Sequence, residues 1–172
     1  STLGLHLQNS MQTHAFAMTG EMEQCLARNR FLTGVSLDGT RQTHDALRPD
    51  AQGNGTYDRV LAGIDKLRQA GAEFNILCVV NGLVAREPAR VFEALKPYTY
   101  LQFIACLDSF DGEKTGYSLD ASRYADFLIE TFRLYYQANR KGEYVSVRAF
   151  DNYIGILLGR APEMCSMNGR CG

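Results

Sequence analysis

At 172 residues, with 45% hydrophobic and 22% charged side chains, the chain has the length and composition of an ordinary globular domain with a buried core. A formal net charge of −1 lacks the basic excess that nucleic-acid or anionic membrane surfaces require. The longest apolar runs, such as Ile76–Val80 and Tyr153–Leu158, are far too short to cross a bilayer, and Leu3–Leu7 alternates with polar residues instead of forming a leader-type apolar segment. The expectation is a soluble, cytoplasmic α/β protein with no nucleic-acid and no membrane partner.

In chain order, Leu5–Thr13 alternates in character and predicts a strand, with His6, Gln8, Ser10 and Gln12 on one side and Leu5, Leu7 and Met11 on the other. Thr19–Asn29 predicts a helix capped by Thr19. Phe31–Asp38 predicts a second strand ended by the turn-forming pair Asp38-Gly39, and a polar loop follows over Thr40–Gly55. Tyr57–Ala70 places Val60, Leu61, Ile64 and Leu67 at helical spacing and closes on Gly71. Ala72–Asn81 predicts a third strand. Pro88 suits the first turn of a short helix carrying Val91, Phe92 and Leu95, and Pro97 stops it. Tyr100–Cys106 predicts a fourth strand, and Asp108–Gly116 a loop. A long helix then starts near Leu119, with Tyr124, Phe127, Leu128, Phe132 and Tyr135 on one face. Ser146–Leu158 predicts the last helix, running into Gly159 and Pro162.

This alternation with short connections is the pattern of parallel βα units. If helices cover the apolar side of each strand, the other side carries Gln8, Ser10 and Gln12, then Gly34, Ser36 and Asp38, then Glu73 or Asn75, then Gln102. A sealed barrel core prefers branched apolar residues there. The polar set fits either an open lumen that binds a polar ligand, or core polar groups satisfied internally, or a one-residue slip in the assigned faces.

The five cysteines are odd in number and scattered, which argues against a disulfide framework. Cys25, Cys78 and Cys106 lie in apolar elements, where cysteine acts as a small hydrophobe. Cys165 and Cys171 lie in a Gly-, Asn- and Met-containing stretch where packing gives no reason for two thiols. His6, His14 and His44 have no metal-ligand spacing and read as structural residues, with His44-Asp45 fixing its loop. No P-loop, zinc motif or serine-hydrolase elbow occurs.

The densest signal is Gly34-Val-Ser-Leu-Asp-Gly39 followed by His44-Asp45 and Arg48: a strand delivering a serine and a turn at its C-terminal end, then a guanidinium able to fork onto a carboxylate. This run resembles the signature of anaerobic sulfatase-maturating enzymes, which are radical S-adenosylmethionine (SAM, AdoMet) proteins. Ser10–Thr13, Asn75–Asn81 and Gln102–Asp108 resemble that family's third, fifth and sixth strands, and Pro162-Glu-Met-Cys165-x5-Cys171 is similar to the entry into its SPASM-type auxiliary-cluster region.

The resemblance implies a partial (βα) radical-SAM-type barrel of about four parallel βα units plus C-terminal helices, with residues 1–145 in the barrel and 146–172 forming a linker helix and the start of the auxiliary-cluster region. It implies that Ser36, Arg48 and Leu107 contact S-adenosyl-L-methionine and that Cys165 and Cys171 are ligands of an auxiliary [4Fe–4S] cluster. The implied partner is a sulfatase polypeptide whose Cys or Ser is oxidised to formylglycine. Other readings are a different SPASM-type peptide maturase and a degenerate, non-catalytic peptide-binding module.

The departures are specific. Gln12-Thr13-His14-Ala15 stands where the family has Gln-Thr-Asn-Gly. The Cys-x3-Cys-x2-Cys run, the Gly-rich motif and the later Cys-Asp pair are not in this sequence. The 172 residues therefore read as a central segment lacking both ends, not catalytic alone, with open sheet edges that invite self-association.

Overall fold

The computed structural model describes residues 8–164. Among the described residues five strands alternate with six helices, as the sequence pattern predicts for βα units, and the paired registers in each unit are parallel. The chain divides into two compact units, 1–79 and 80–172, by the density of its internal contacts.

In the first unit the strands are β1 (Ser10–Thr13), β2 (Leu32–Ser36) and β3 (Phe74–Val80, which reaches the boundary). Between them lie α1 (Gly20–Arg28), α2 (Arg41–Leu47) and α3 (Tyr57–Gln69). The register pairs Gln12 with Gly34 and Thr13 with Val35, then Gly34 with Asn75 and Ser36 with Leu77. Paired residues in parallel strands share a face, so Gln12, Gly34, Ser36, Asn75 and Leu77 lie together. Val35, Ile76 and Cys78 share the opposite face and are fully buried, as are Val60, Ile64 and Leu67 of α3. The faces follow the sequence expectation. Gly34 has a packing reason of its own, since a Cβ there would meet Leu77 Cδ1 at 2.7 Å.

Thr19 caps α1 as expected, its hydroxyl accepting from the Met22 amide. Two expectations change. The predicted loop Thr40–Gly55 contains helix α2, whose seven residues are held by Thr40, which accepts from the Thr43 amide, and by burial of Thr43 and His44. A helix this short leaves little apolar periodicity to read. Cys25 lies in α1 but is exposed, whereas Cys78 is buried and Cys106 half-buried. Neighbouring Leu26 takes the core position on that helix.

In the second unit, α4 (Pro88–Leu95) starts at its proline and ends before a 3-10 turn at Lys96–Tyr98. It is followed by β4 (Tyr100–Ala105), α5 (Ala121–Arg140), β5 (Ser146–Val147) and α6 (Arg148–Leu157). Leu101 and Phe103 are the buried side of β4, and the Phe103 ring meets Phe127 edge-on at 5.1 Å. On the other side Gln102 accepts from Arg148 Nη1 at 3.4 Å.

The start of the last predicted helix is instead the short strand β5, because Ser146 and Val147 pair with Tyr100 and Leu101 before the chain turns into α6. The buried stripe of α5 is Phe127, Thr131, Tyr135 and Ala138. Phe132 is more exposed than its spacing predicts, and the unpredicted Thr131 is buried with its hydroxyl donating to the Phe127 carbonyl at 2.7 Å. Among the described residues no helix is long and apolar enough to cross a membrane.

Candidate functional site

The turn after β2 is where the first unit gathers its polar groups. Gly39 has φ 77°, a backbone state that glycine adopts without strain, and it turns the chain into α2. Asp38 stays almost wholly buried at 2% exposure. A buried carboxylate requires partners, and Asp38 has three bonds. Oδ2 accepts from Arg48 Nε at 2.5 Å, while Oδ1 accepts from Arg48 Nη2 at 3.4 Å and from the Val79 amide at 2.9 Å. Its main chain is fixed as well: the Thr43 hydroxyl donates to the Asp38 carbonyl at 2.5 Å, and the Asp38 amide donates to His44 Nδ1 at 3.2 Å.

That last bond sets the state of His44. An amide can only donate, so Nδ1 must be unprotonated and Nε2 carries the proton. Nε2 lies 3.1 Å from Thr56 Oγ1, whose own proton goes to the Arg48 carbonyl at 2.7 Å. Asp38, His44, Thr56 and Arg48 thus close a ring of hydrogen bonds in which each link has a donor and an acceptor. Burial pushes the His44 imidazole below its ordinary value, the Asp38 charge opposes this, and the Arg48 charge reinforces it. His44 is the neutral form the geometry needs.

The ring is braced from α3. Thr56 stands at the N-cap of α3, yet its side chain makes no capping bond. Asp45 supplies one instead, with Oδ1 accepting from the Tyr57 amide at 2.8 Å. Gly55 makes room for it, since a Cβ there would meet the Asp45 carboxyl carbon at 2.4 Å. Arg41 forks onto Asp58 and lies over the Tyr57 ring, tying α2 to α3 a second time. The His44-Asp45 pair therefore fixes its loop.

Ser36 and Arg48 emerge at the end of this arrangement. Ser36 is the last residue of β2 and half-buried, and its hydroxyl has no hydrogen-bond partner among the described residues. The Arg48 side chain is 32% exposed. Asp38 holds its Nε and Nη2 side, and Nη1 makes no bond among the described residues. A guanidinium offers a second, end-on edge. A hydroxyl without a partner among the described residues and a guanidinium edge held by Asp38 are groups able to bind a ligand that carries a carboxylate and hydroxyls.

The sequence and fold have close counterparts. The solved structure of native anSMEcpe with bound AdoMet and the Kp18Cys peptide is 36% identical, with a TM-score of 0.92 over 98% of this chain and 48% of that one. A cysteine-type anaerobic sulfatase-maturating enzyme of Clostridium novyi (strain NT) is 35% identical over 99% of this chain and 47% of its own length. Over nearly its whole length the chain is similar to the anaerobic sulfatase-maturating enzymes. A cysteine-type relative from Clostridium perfringens (strain 13 / Type A) is 37% identical, and a serine-type relative from Bacteroides thetaiotaomicron is 25% identical, over 97% and 98% of the chain. The chain spans about half the length of these sulfatase-maturating relatives. No family profile matches it.

The remaining residues that the family resemblance singles out are placed as follows. Leu107 follows β4 in the second unit and is 82% exposed. Cys165 and Cys171 lie outside the described residues. Among the described residues no group of three or more His, Cys, Asp or Glu side chains could hold a metal ion, so these residues do not supply the ligand set of an iron–sulfur cluster. Thr56 is the member of the ring that the sequence does not single out. Its place before a helix has the look of an N-cap, and only the coordinates show its hydroxyl turned to His44 and Arg48.

Proposed function

We propose that this chain supplies part of the AdoMet-binding wall of a radical SAM sulfatase-maturating enzyme, a cytoplasmic oxidoreductase that converts a sulfatase Cys or Ser to formylglycine. The observation that carries the reading is the 36% identity and 0.92 TM-score, over nearly the whole chain, to a structure described as holding AdoMet and a peptide. A cysteine-bearing sulfatase segment is favoured as substrate, because the cysteine-type relatives are 35–37% identical and the serine-type ones 25–28%.

In this reading Arg48 binds the AdoMet carboxylate and Ser36 donates to an AdoMet oxygen. The resemblance adds Leu107 as an apolar contact, Cys165 and Cys171 as ligands of an auxiliary [4Fe–4S] cluster, and a barrel portion over 1–145 followed by a cluster-region linker over 146–172. AdoMet, when bound, supplies the oxidising chemistry, and this chain's residues bind and orient it.

Calorimetric titration of AdoMet into the 172-residue chain tests the assignment. Binding is expected, and Arg48→Lys is expected to weaken it by about tenfold or more, because an ammonium keeps the charge but loses the bidentate fork. Ser36→Ala is expected to weaken it less, by a few-fold, as for one neutral hydrogen bond at about 1 kcal/mol. Absence of binding, or variants that bind as the wild type does, would count against it. The 172 residues contain no Cys-x3-Cys-x2-Cys run, so the same preparation is expected to release no 5′-deoxyadenosine.

A further inference from the structure

Asp38 already engages the guanidinium of Arg48 from one side, at 2.5 Å to Nε and 3.4 Å to Nη2. Such a pairing reduces the freedom of a long side chain that would otherwise lose rotamer entropy on meeting a ligand. Asp38 is fixed in turn, through the Val79 amide on β3 and through its own amide on His44 Nδ1. His44 is fully buried, and its remaining proton can only go to Thr56 Oγ1. Thr56 then returns to Arg48 through the main-chain carbonyl. The telling feature is at the start of α3, where a threonine in the N-cap position gives up capping and a carboxylate from α2 takes that role. Helix formation alone gives no reason for that exchange.

We infer that Asp38, His44 and Thr56 are positioning residues: their closed ring with Arg48 orients the guanidinium so that its free edge selects a ligand carboxylate. The inference rests on the reading that Arg48 meets the carboxylate of AdoMet. None of the three touches the ligand. They act through Arg48, so their effect belongs to ligands that carry a carboxylate and not to the rest of the pocket. A role in stability alone would weaken all ligands together.

The test compares AdoMet with 5′-methylthioadenosine, which keeps the nucleoside and carries the sulfur as a neutral thioether, and lacks the sulfonium charge and the amino-acid arm with its carboxylate. Both are titrated calorimetrically into the 172-residue chain and into Asp38→Asn, Thr56→Val and Thr56→Ser. Asp38→Asn and Thr56→Val are each expected to weaken AdoMet about tenfold while leaving 5′-methylthioadenosine within about twofold, and Thr56→Ser, which keeps the hydroxyl, is expected to restore AdoMet binding. Long-range nitrogen–proton spectra of the imidazole give a readout without ligand. The wild type and Thr56→Ser are expected to show His44 as the single Nε2–H tautomer, and Thr56→Val a mixture.

If Asp38→Asn does not fold, the Thr56 pair and the spectra carry the test. A wild type that binds neither ligand, or binds both equally, removes the carboxylate role of Arg48 and with it the AdoMet reading. A wild type that prefers AdoMet, with variants that keep the same preference or weaken both ligands alike, overturns the positioning inference alone.

Discussion

Among single residues, the neutrality of His44 has a consequence for stability. Burial lowers its proton affinity from the ordinary value of 6.5. Below that pH the unfolded chain takes up a proton that the folded chain refuses, so stability falls as pH drops below about 6.5 and levels off only under the folded value. Above it neither state is protonated and the group contributes no slope. Denaturant midpoints at pH 7.5 and 5.5 should differ in the wild type and differ less in His44→Gln, whose amide can both accept and donate. Equal pH dependence in the two proteins would show that His44 is not the group responsible. The sequence already placed Ser36, Asp38, His44 and Arg48 within one short run, because a strand end, a turn and a cation are visible as letters. It could not show that Asp38 holds Arg48 or that Thr56 completes the ring, since those depend on which side chains a turn and two helix ends bring within hydrogen-bond reach.

Among elements, the seam between α3 and the segment after β1 depends on one missing side chain. Ala15 takes a left-handed φ of 57° and turns its carbonyl toward Gly63, where a Cβ would lie 2.1 Å from that oxygen. Backbone cannot give way there as a flexible side chain would. Gly63→Ala should therefore destabilise the chain by about 2–3 kcal/mol, despite alanine's better helix propensity. Thermal or denaturant unfolding measures it, and an unchanged or raised midpoint would contradict the close approach. The strands and the long amphipathic helices were legible because periodicity reports burial directly. Helix α2 and strand β5 were not: seven residues and two residues are too few for a period, and each is held by bonds outside itself, Thr43 and His44 on the preceding Asp38 turn and Ser146 and Val147 on the sequence-distant β4.

For the whole molecule, the 35–37% identity to cysteine-type relatives runs from end to end of the chain while covering about half of theirs. Under the proposed function this chain would contribute a share of a binding wall and orient AdoMet. On the shared face of β1 to β3, Gln12 and Asn75 are in register with Gly34, and Ser36 lies two residues further along β2; this is the surface proposed to meet such a ligand. Photo-crosslinking with 8-azido-S-adenosylmethionine, followed by peptide mapping of the adducts, tests this most directly. Saturable labelling, displaced by excess AdoMet, is expected on peptides that carry Ser36 and Arg48. Labelling confined to other peptides, or labelling that excess AdoMet does not displace, would contradict it.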